Sequence, residues 1–204
     1  MSEIAHLAAT VFRRAAGRSR FVVGIAGPPG AGKSTLAEAL LPLLPDGSAA
    51  VVPMDGFHYD NAVLDERGLR ARKGAPETFD FDGLHVLLSR LAAGEAEVAV
   101  PLFDRAADLA RAGAAIIAPA VRFILVEGNY LLLDEAPWTQ LAPLLDHTVF
   151  LEVDESELER RLVQRWLDHG HDAEAARQRA LSNDIPNARR VAERRRTADL
   201  VLRL

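Results

Sequence analysis

Phe21-Val22-Val23-Gly24-Ile25-Ala26-Gly27-Pro28-Pro29-Gly30-Ala31-Gly32-Lys33-Ser34-Thr35-Leu36-Ala37-Glu38-Ala39-Leu40-Leu41 changes character twice within twenty-one residues. It opens as an apolar, β-branched run of the kind that forms a buried strand. It passes through a turn rich in glycine and proline and continues as an Ala- and Leu-rich helix. The turn fits G-x-x-x-x-G-K-[ST] at every fixed position, with Gly27, Gly32, Lys33 and Ser34. Such a loop converges successive backbone N–H groups and a helix N-terminus on one anion. Its glycines allow backbone angles that a Cβ forbids and let the main chain approach phosphate oxygens. The stretch Gly27, Gly30, Ala31, Gly32, Lys33, Ser34, Thr35 is therefore expected to hold a nucleoside triphosphate. Lys33 is expected to reach its terminal phosphates, and the Ser34 hydroxyl to bind Mg²⁺.

The rest of the chain suits this reading. At 204 residues with about half of them apolar, it matches one α/β domain spanning 1–204, with a lid and C-terminal helices over about 155–190. The net charge of −5 argues against nucleic acid as a partner, because binding a phosphate backbone needs a basic surface. The absence of cysteine excludes disulfides and thiolate metal sites. No apolar run reaches the roughly 20 residues that cross a bilayer. The first residues place Ile4, Leu7, Ala8, Val11, Phe12 and Ala15 at helical spacing, broken by charges. That pattern is an amphipathic helix packed on the domain, not a signal peptide. A cytoplasmic protein that binds no membrane is expected, and a homodimer is compatible with the sequence.

Further strands are expected at Ala49–Met54, Val121–Glu127, His147–Val153 and Asp199–Leu202, and a short extended segment at Val98–Arg105 leads into a loop. Helices are expected at Asp82–Ala93 and Glu155–His169, followed by two helical stretches with a break near Asn183-Asp184-Ile185-Pro186. Asn61–Phe81 reads as a long functional loop with a short helix. Strands alternating with helices imply a doubly wound, five-stranded parallel sheet of the P-loop NTPase class, with helices on both faces and a small lid.

Ligands in such sheets sit at the carboxyl ends of strands, and Asp55 and Glu127 fall at two of them. Glu127 closes Phe123-Ile124-Leu125-Val126 and suits a carboxylate that orders Mg²⁺. Asp55 stands about twenty residues past the loop. It suits acceptance of a proton from a substrate hydroxyl, the alternative being a simple Asp-Gly turn. His58, Arg70, Arg72, Lys73, Asp104 and Arg105 are candidates for lining an acceptor pocket. Arg161 and Arg165 lie four apart on one helical face. That spacing fits a cationic clamp over a triphosphate and fits surface pairing with Glu157 and Asp168 equally well. His169-Gly170-His171 reads as a loop feature.

With these residues placed, the chain resembles the uridine kinase, phosphoribulokinase and bacterial pantothenate kinase group. The resemblance rests on Gly27 to Thr35, Met54-Asp55-Gly56-Phe57, Arg72-Lys73-Gly74-Ala75-Pro76-Glu77-Thr78-Phe79-Asp80, Val100-Pro101-Leu102-Phe103, Leu125-Val126-Glu127-Gly128 and Ala198-Asp199-Leu200-Val201. It runs from Val22 to Leu202. Glu127-Gly128-Asn129-Tyr130, Arg165-Trp166, His169-Gly170 and Asn183-Asp184-x-Pro186-Asn187 are similar to a bacterial subfamily. Its members are often labelled nucleoside-kinase-like or fructose-transport-system kinases. The resemblance implies ATP and Mg²⁺ as cofactors, Asp55 as the catalytic acid after the second strand, Glu127 at the Walker B position, and an arginine-bearing lid helix. It implies phosphoryl transfer to a hydroxyl of a small metabolite: a sugar such as fructose, a nucleoside, or a pantothenate-like alcohol. Where uridine kinases carry Arg-Gly-Arg in the lid, this chain has His169-Gly170-His171. The competing reading is a nucleotide-hydrolysing switch without an acceptor. A guanine-reading Asn/Thr-Lys-x-Asp run is absent from the sequence.

Overall fold

The computed structural model describes residues 3–204. Five parallel strands form the central sheet in the order β2 (Ala49–Pro53), β5 (Phe123–Gly128), β1 (Phe21–Ala26), β6 (His147–Glu152), β7 (Leu200–Arg203). Every residue of β1 and of β5 is buried, as expected of strands covered on both faces. Their alternation sorts the core into two layers. Phe21, Val23, Ile25, Phe123 and Leu125 pack with Leu7 and Val11 of α1 (Glu3–Arg14) and Leu36 and Leu40 of α2 (Lys33–Leu40). Val22, Ala26, Ile124 and Val126 face the other way, onto Leu84, Leu88 and Leu91 of α4 (Phe81–Ala92) and onto Trp138 and Leu141.

Parallel pairing sets Ile25 and Pro53 on either side of Glu127, so the carboxyl ends of β1, β2 and β5 finish side by side. The main chain leaves β2 through a tight turn, Met54–Phe57, that carries Asp55. The short helix α3 (Asn61–Glu66) and two further tight turns occupy the long segment before α4.

Two features depart from the sequence reading. The extended segment at 98–105 is one arm of an antiparallel hairpin, β3 (Val98–Asp104) with β4 (Leu109–Ile117), which stands apart from the main sheet. The expected break near Asn183 is a π-helical turn, Ala180–Asp184, joining α6 (Ala173–Arg179) to α7 (Ile185–Glu193). Together with α5 (Glu155–Asp168) these helices form the flank where the lid is expected.

Candidate active site

Helix α2 begins with its amides unclaimed. Asp60, Asp80 and Asp172 cap α3, α4 and α6 with their side chains, whereas α2 starts at Gly32, which is left-handed at φ 91° and supplies no side-chain cap. An uncapped first turn presents free N–H groups and the positive end of the helix dipole. Gly30 has φ 81°, and a Cβ there would lie 3.3 Å from Leu162 of α5. Glycine at 30 therefore serves both the turn and the close passage of α5. Gly27 and Ala31 shape the loop from behind: Gly27 is packed on the Leu151 backbone, and the Ala31 amide donates to the Pro28 carbonyl at 3.1 Å.

Lys33 is buried, and its ammonium has one hydrogen-bond acceptor among the described residues, the Pro28 carbonyl at 2.9 Å. Burial lowers its pKa, while the nearby Glu127 and Asp55 charges raise it. Glu127 is buried too. Burial raises its pKa and the Lys33 charge opposes this. The Ser34 hydroxyl donates to Glu127 Oε1 at 3.2 Å, which joins helix α2 to the end of β5. A buried cation with donors to spare faces a buried carboxylate with acceptor capacity to spare.

A cavity of about 660 Å³ opens from this point, lined by Lys33, Ser34, Thr35, Asp55, Glu127 and Asn129 at its base. On one side α5 brings Arg161 and Arg165 to it. Arg161 donates from Nε to Glu157 at 2.7 Å and from Nη1 to the Gly30 carbonyl at 3.3 Å, so it pairs along its helix and touches the loop at once. Arg165 makes no ion pair among the described residues, because Asp168 accepts from Gln164 instead. Its guanidinium lies 5.7 Å from the Trp166 ring centre, with Arg179 5.1 Å from the same ring. The Trp166 indole N–H donates to Asp184 at 2.7 Å.

On the other side stand the turn after β2 and the hairpin. Asp55 Oδ2 accepts from Arg105 Nη2 at 3.2 Å. A Cβ on Gly56 would lie 2.4 Å from the Pro101 carbonyl oxygen, so glycine after Asp55 is what lets β3 reach the turn. His58 Nδ1 sits 2.8 Å from the Asp55 carbonyl, and its ring is 4.0 Å from Phe79 and 4.8 Å from Phe103. Burial lowers the pKa of His58.

Of the residues expected to line an acceptor pocket, Arg72 and Asp104 stand elsewhere. Arg72 does not line the cavity, because it pairs with Glu77 at 2.9 Å on the surface. Asp104 also lies outside the lining. Its carboxylate closes the hairpin turn by accepting from the Ala106 and Ala107 amides at 3.1 Å each. Lys73 reaches the cavity wall, but its ammonium is held by Asn61 Oδ1 at 2.7 Å, Asp108 O at 2.8 Å and Asp108 Oδ1 at 2.7 Å. Sequence reasoning gave no role to Phe79, Phe103, Trp166 or Asp184, although each stands inside a stretch that carried the family resemblance. Asp108 and Arg179 had no sequence signal at all.

Residues 22–203 match the model of the phosphoribulokinase / uridine kinase family. The chain belongs to that family. It is 36% identical over 196 residues to the "putative uridine kinase C227.14" of Schizosaccharomyces pombe, covering 91% of this chain and 83% of that one. It is 36% identical over 164 residues to the pantothenate kinase of Sorangium cellulosum, where 78% of this chain spans about half (53%) of the relative. The solved structure of a "putative fructose transport system kinase" from Silicibacter sp. TM1040 superposes with a TM-score of 0.94 at 48% identity, over 99% of this chain and 100% of that one. The chain is thus a kinase, a nucleotide-binding phosphotransferase of the P-loop type, and its acceptor is a small molecule.

The site fits a magnesium–triphosphate on its own features: an uncapped helix start, a buried ammonium with free donors, and a hydroxyl–carboxylate pair beside it. Among the described residues no three His, Asp or Glu side chains gather as a metal cage. Mg²⁺ commonly takes only one or two protein oxygens beside substrate phosphates, which is what Ser34 and Glu127 offer.

Proposed function

We propose that this chain transfers the γ-phosphoryl group of ATP, with Mg²⁺, to a hydroxyl of a small metabolite: a sugar such as fructose, a nucleoside or a pantothenate-like alcohol. The observation that supports this reading is that Asp55 lines the same cavity as Lys33, Ser34 and Glu127. Two carboxylates at neighbouring strand ends then have separate work.

In this reading the amides of Gly30 and of Gly32 to Thr35, with the Lys33 ammonium, bind the β- and γ-phosphates. Ser34 and Glu127 hold the Mg²⁺, which when bound neutralises charge on the transferring group. Asp55 accepts a hydrogen bond from the acceptor hydroxyl and aims its oxygen at the γ-phosphorus. As the new O–P bond forms and the bond to the β–γ bridging oxygen breaks, the hydroxyl proton passes to the Asp55 carboxylate. The transition state is loose, so alignment counts for more than basicity. Arg105, donating to one oxygen of Asp55, holds the carboxylate oriented. Arg161 and Arg165 close from α5 onto the phosphates, where fixed cations act on charge that spreads during transfer.

The test is ADP release by purified protein with MgATP, with and without candidate acceptors, for wild type and Asp55→Asn. Acceptor-dependent release that the variant loses supports the reading. Slow release that no acceptor alters and that is equal in both proteins contradicts it and favours a hydrolysing switch.

A further inference from the structure

The two ends of the cavity treat their cations differently. At the end beside Gly30, Lys33 and Arg165 have no carboxylate within ion-pair distance among the described residues. Both are available to a polyanion. At the end beside Asp55 every lining cation is already matched. The three hydrogens of the Lys73 ammonium have three acceptors, two on Asp108 and one on Asn61, and the side chain is only 9% exposed. Arg105 pairs with Asp55 at 3.2 Å. Arg70 pairs with Asp65 at 3.2 Å and lies 3.8 Å from Asp108.

We propose that the acceptor is a neutral, polyhydroxylated molecule, carrying neither a carboxylate nor a phosphate. This rests on the kinase reading above and narrows it. Among the described residues, an anionic acceptor beside Asp55 meets Arg70, Lys73 and Arg105 only as cations already paired with carboxylates. To bind there an anion must displace Asp108 from the nearly buried Lys73, or a carboxylate from the more exposed Arg70 or Arg105.

The remaining surface there suits a polyol. The rings of His58, Phe79 and Phe103 form an apolar wall for C–H faces. His58 Nδ1, facing a carbonyl oxygen, carries the proton, which leaves Nε2 as an acceptor for a hydroxyl. Asn129 adds an amide, both donor and acceptor. Such groups recognise hydroxyls by direction and leave no net charge to balance.

The experiment is ADP release with MgATP and matched pairs of acceptors: glycerol and glycerate, glucose and gluconate, fructose and fructose 6-phosphate, uridine and uridine monophosphate. In the wild type, at least one neutral member is expected to exceed its charged counterpart by about tenfold or more. Asp108→Asn removes the charge that neutralises Lys73 while leaving its hydrogen-bond acceptors in place, and asparagine tolerates the left-handed backbone at this position (φ 52°), so the turn keeps its shape. That variant is expected to shift the neutral-to-charged ratio towards the charged member by about tenfold. Preference of the wild type for a charged member overturns the proposal, as does a panel in which no neutral compound raises ADP release. Thermal stabilisation by MgATP, compared with Lys33→Met, is read on the same samples. Stabilisation with an inert neutral panel removes the acceptor class alone. No stabilisation removes the kinase reading and this inference with it.

Discussion

Arg105 Nη2 stands 3.2 Å from Asp55 Oδ2, so the turn of a hairpin fifty residues downstream is tied to the carboxylate at the end of β2. The pair is half open to solvent, and its value to stability is small. Its consequence lies in orientation: the guanidinium holds one carboxylate oxygen and leaves the other for an acceptor hydroxyl. Arg105→Gln is expected to lower kcat by roughly tenfold to a hundredfold while MgATP stabilisation stays as in the wild type. Equal loss of MgATP binding would place Arg105 with the nucleotide instead.

Gly56 packs directly against the hairpin at Pro101. In Gly56→Ala the new Cβ would sit 2.4 Å from the Pro101 carbonyl oxygen, a backbone atom that yields only if β3 moves. Overpacking of this kind costs about 1–3 kcal/mol, and each kcal/mol moves Tm by about 2–4 °C in a chain this long. Thermal unfolding is expected to show that loss together with a fall in turnover. A variant with unchanged Tm and kcat would show that the hairpin does not bear on the site.

Glu127 makes stability depend on pH in a defined direction. Burial raises its carboxyl pKa in the folded chain, so folding favours the protonated form. Below the ordinary carboxylate range both folded and unfolded chains are protonated and the glutamate carries no penalty. As pH rises through the raised value the folded chain loses about 1.4 kcal/mol for each unit of elevation. Glu127→Gln stays neutral throughout. The Tm of the variant, measured relative to wild type, is therefore expected to climb as pH rises from 4 to 8, while its turnover falls and its requirement for Mg²⁺ grows. A pH-independent difference in Tm would mean that Glu127 is already stabilised as the anion.

Arg161 and Arg165 differ from their neighbour on the same helix. Among the described residues Arg165 has no carboxylate partner, and Arg161 touches the Gly30 carbonyl besides pairing with Glu157, whereas Arg160 is exposed and pairs with Glu157 alone. Arg165→Ala is expected to lower kcat by about a hundredfold or more, the range for removal of one preorganised transition-state donor. Arg160→Ala is expected to leave kcat and the KM for ATP unchanged. Steady-state kinetics at saturating acceptor compare the two directly, and a similar effect of both would reduce the helix to a charged surface.

The sequence discloses the parts of this site that local chemistry dictates. The Gly27–Ser34 turn has to be glycine-rich to bind phosphate between a strand and a helix. Asp55 and Glu127 come together because β2 and β5 are adjacent parallel strands that end in register. The hairpin was hidden because Leu109–Ile117 is rich in alanine, which has no strand preference of its own. Pairing with Val98–Asp104 decides its state. The acceptor pocket was hidden for a related reason. Arg72 and Lys73 are adjacent, equally basic residues, yet one pairs with Glu77 on the surface and the other is immobilised by Asp108, thirty-five residues away. Which cation is free is a property of distant partners, and spacing along the chain does not reveal it.

The measurement that bears most directly on the central claim uses ATP labelled at the γ-phosphate, with Mg²⁺ and a panel of hydroxyl-bearing metabolites, comparing wild type with Asp55→Asn. The account predicts that wild type moves the label onto an acceptor. Asp55→Asn should slow that transfer by about a hundredfold to ten-thousandfold while MgATP still stabilises it as it does the wild type. Label released only as inorganic phosphate, at one rate in both proteins and with every compound, would contradict it.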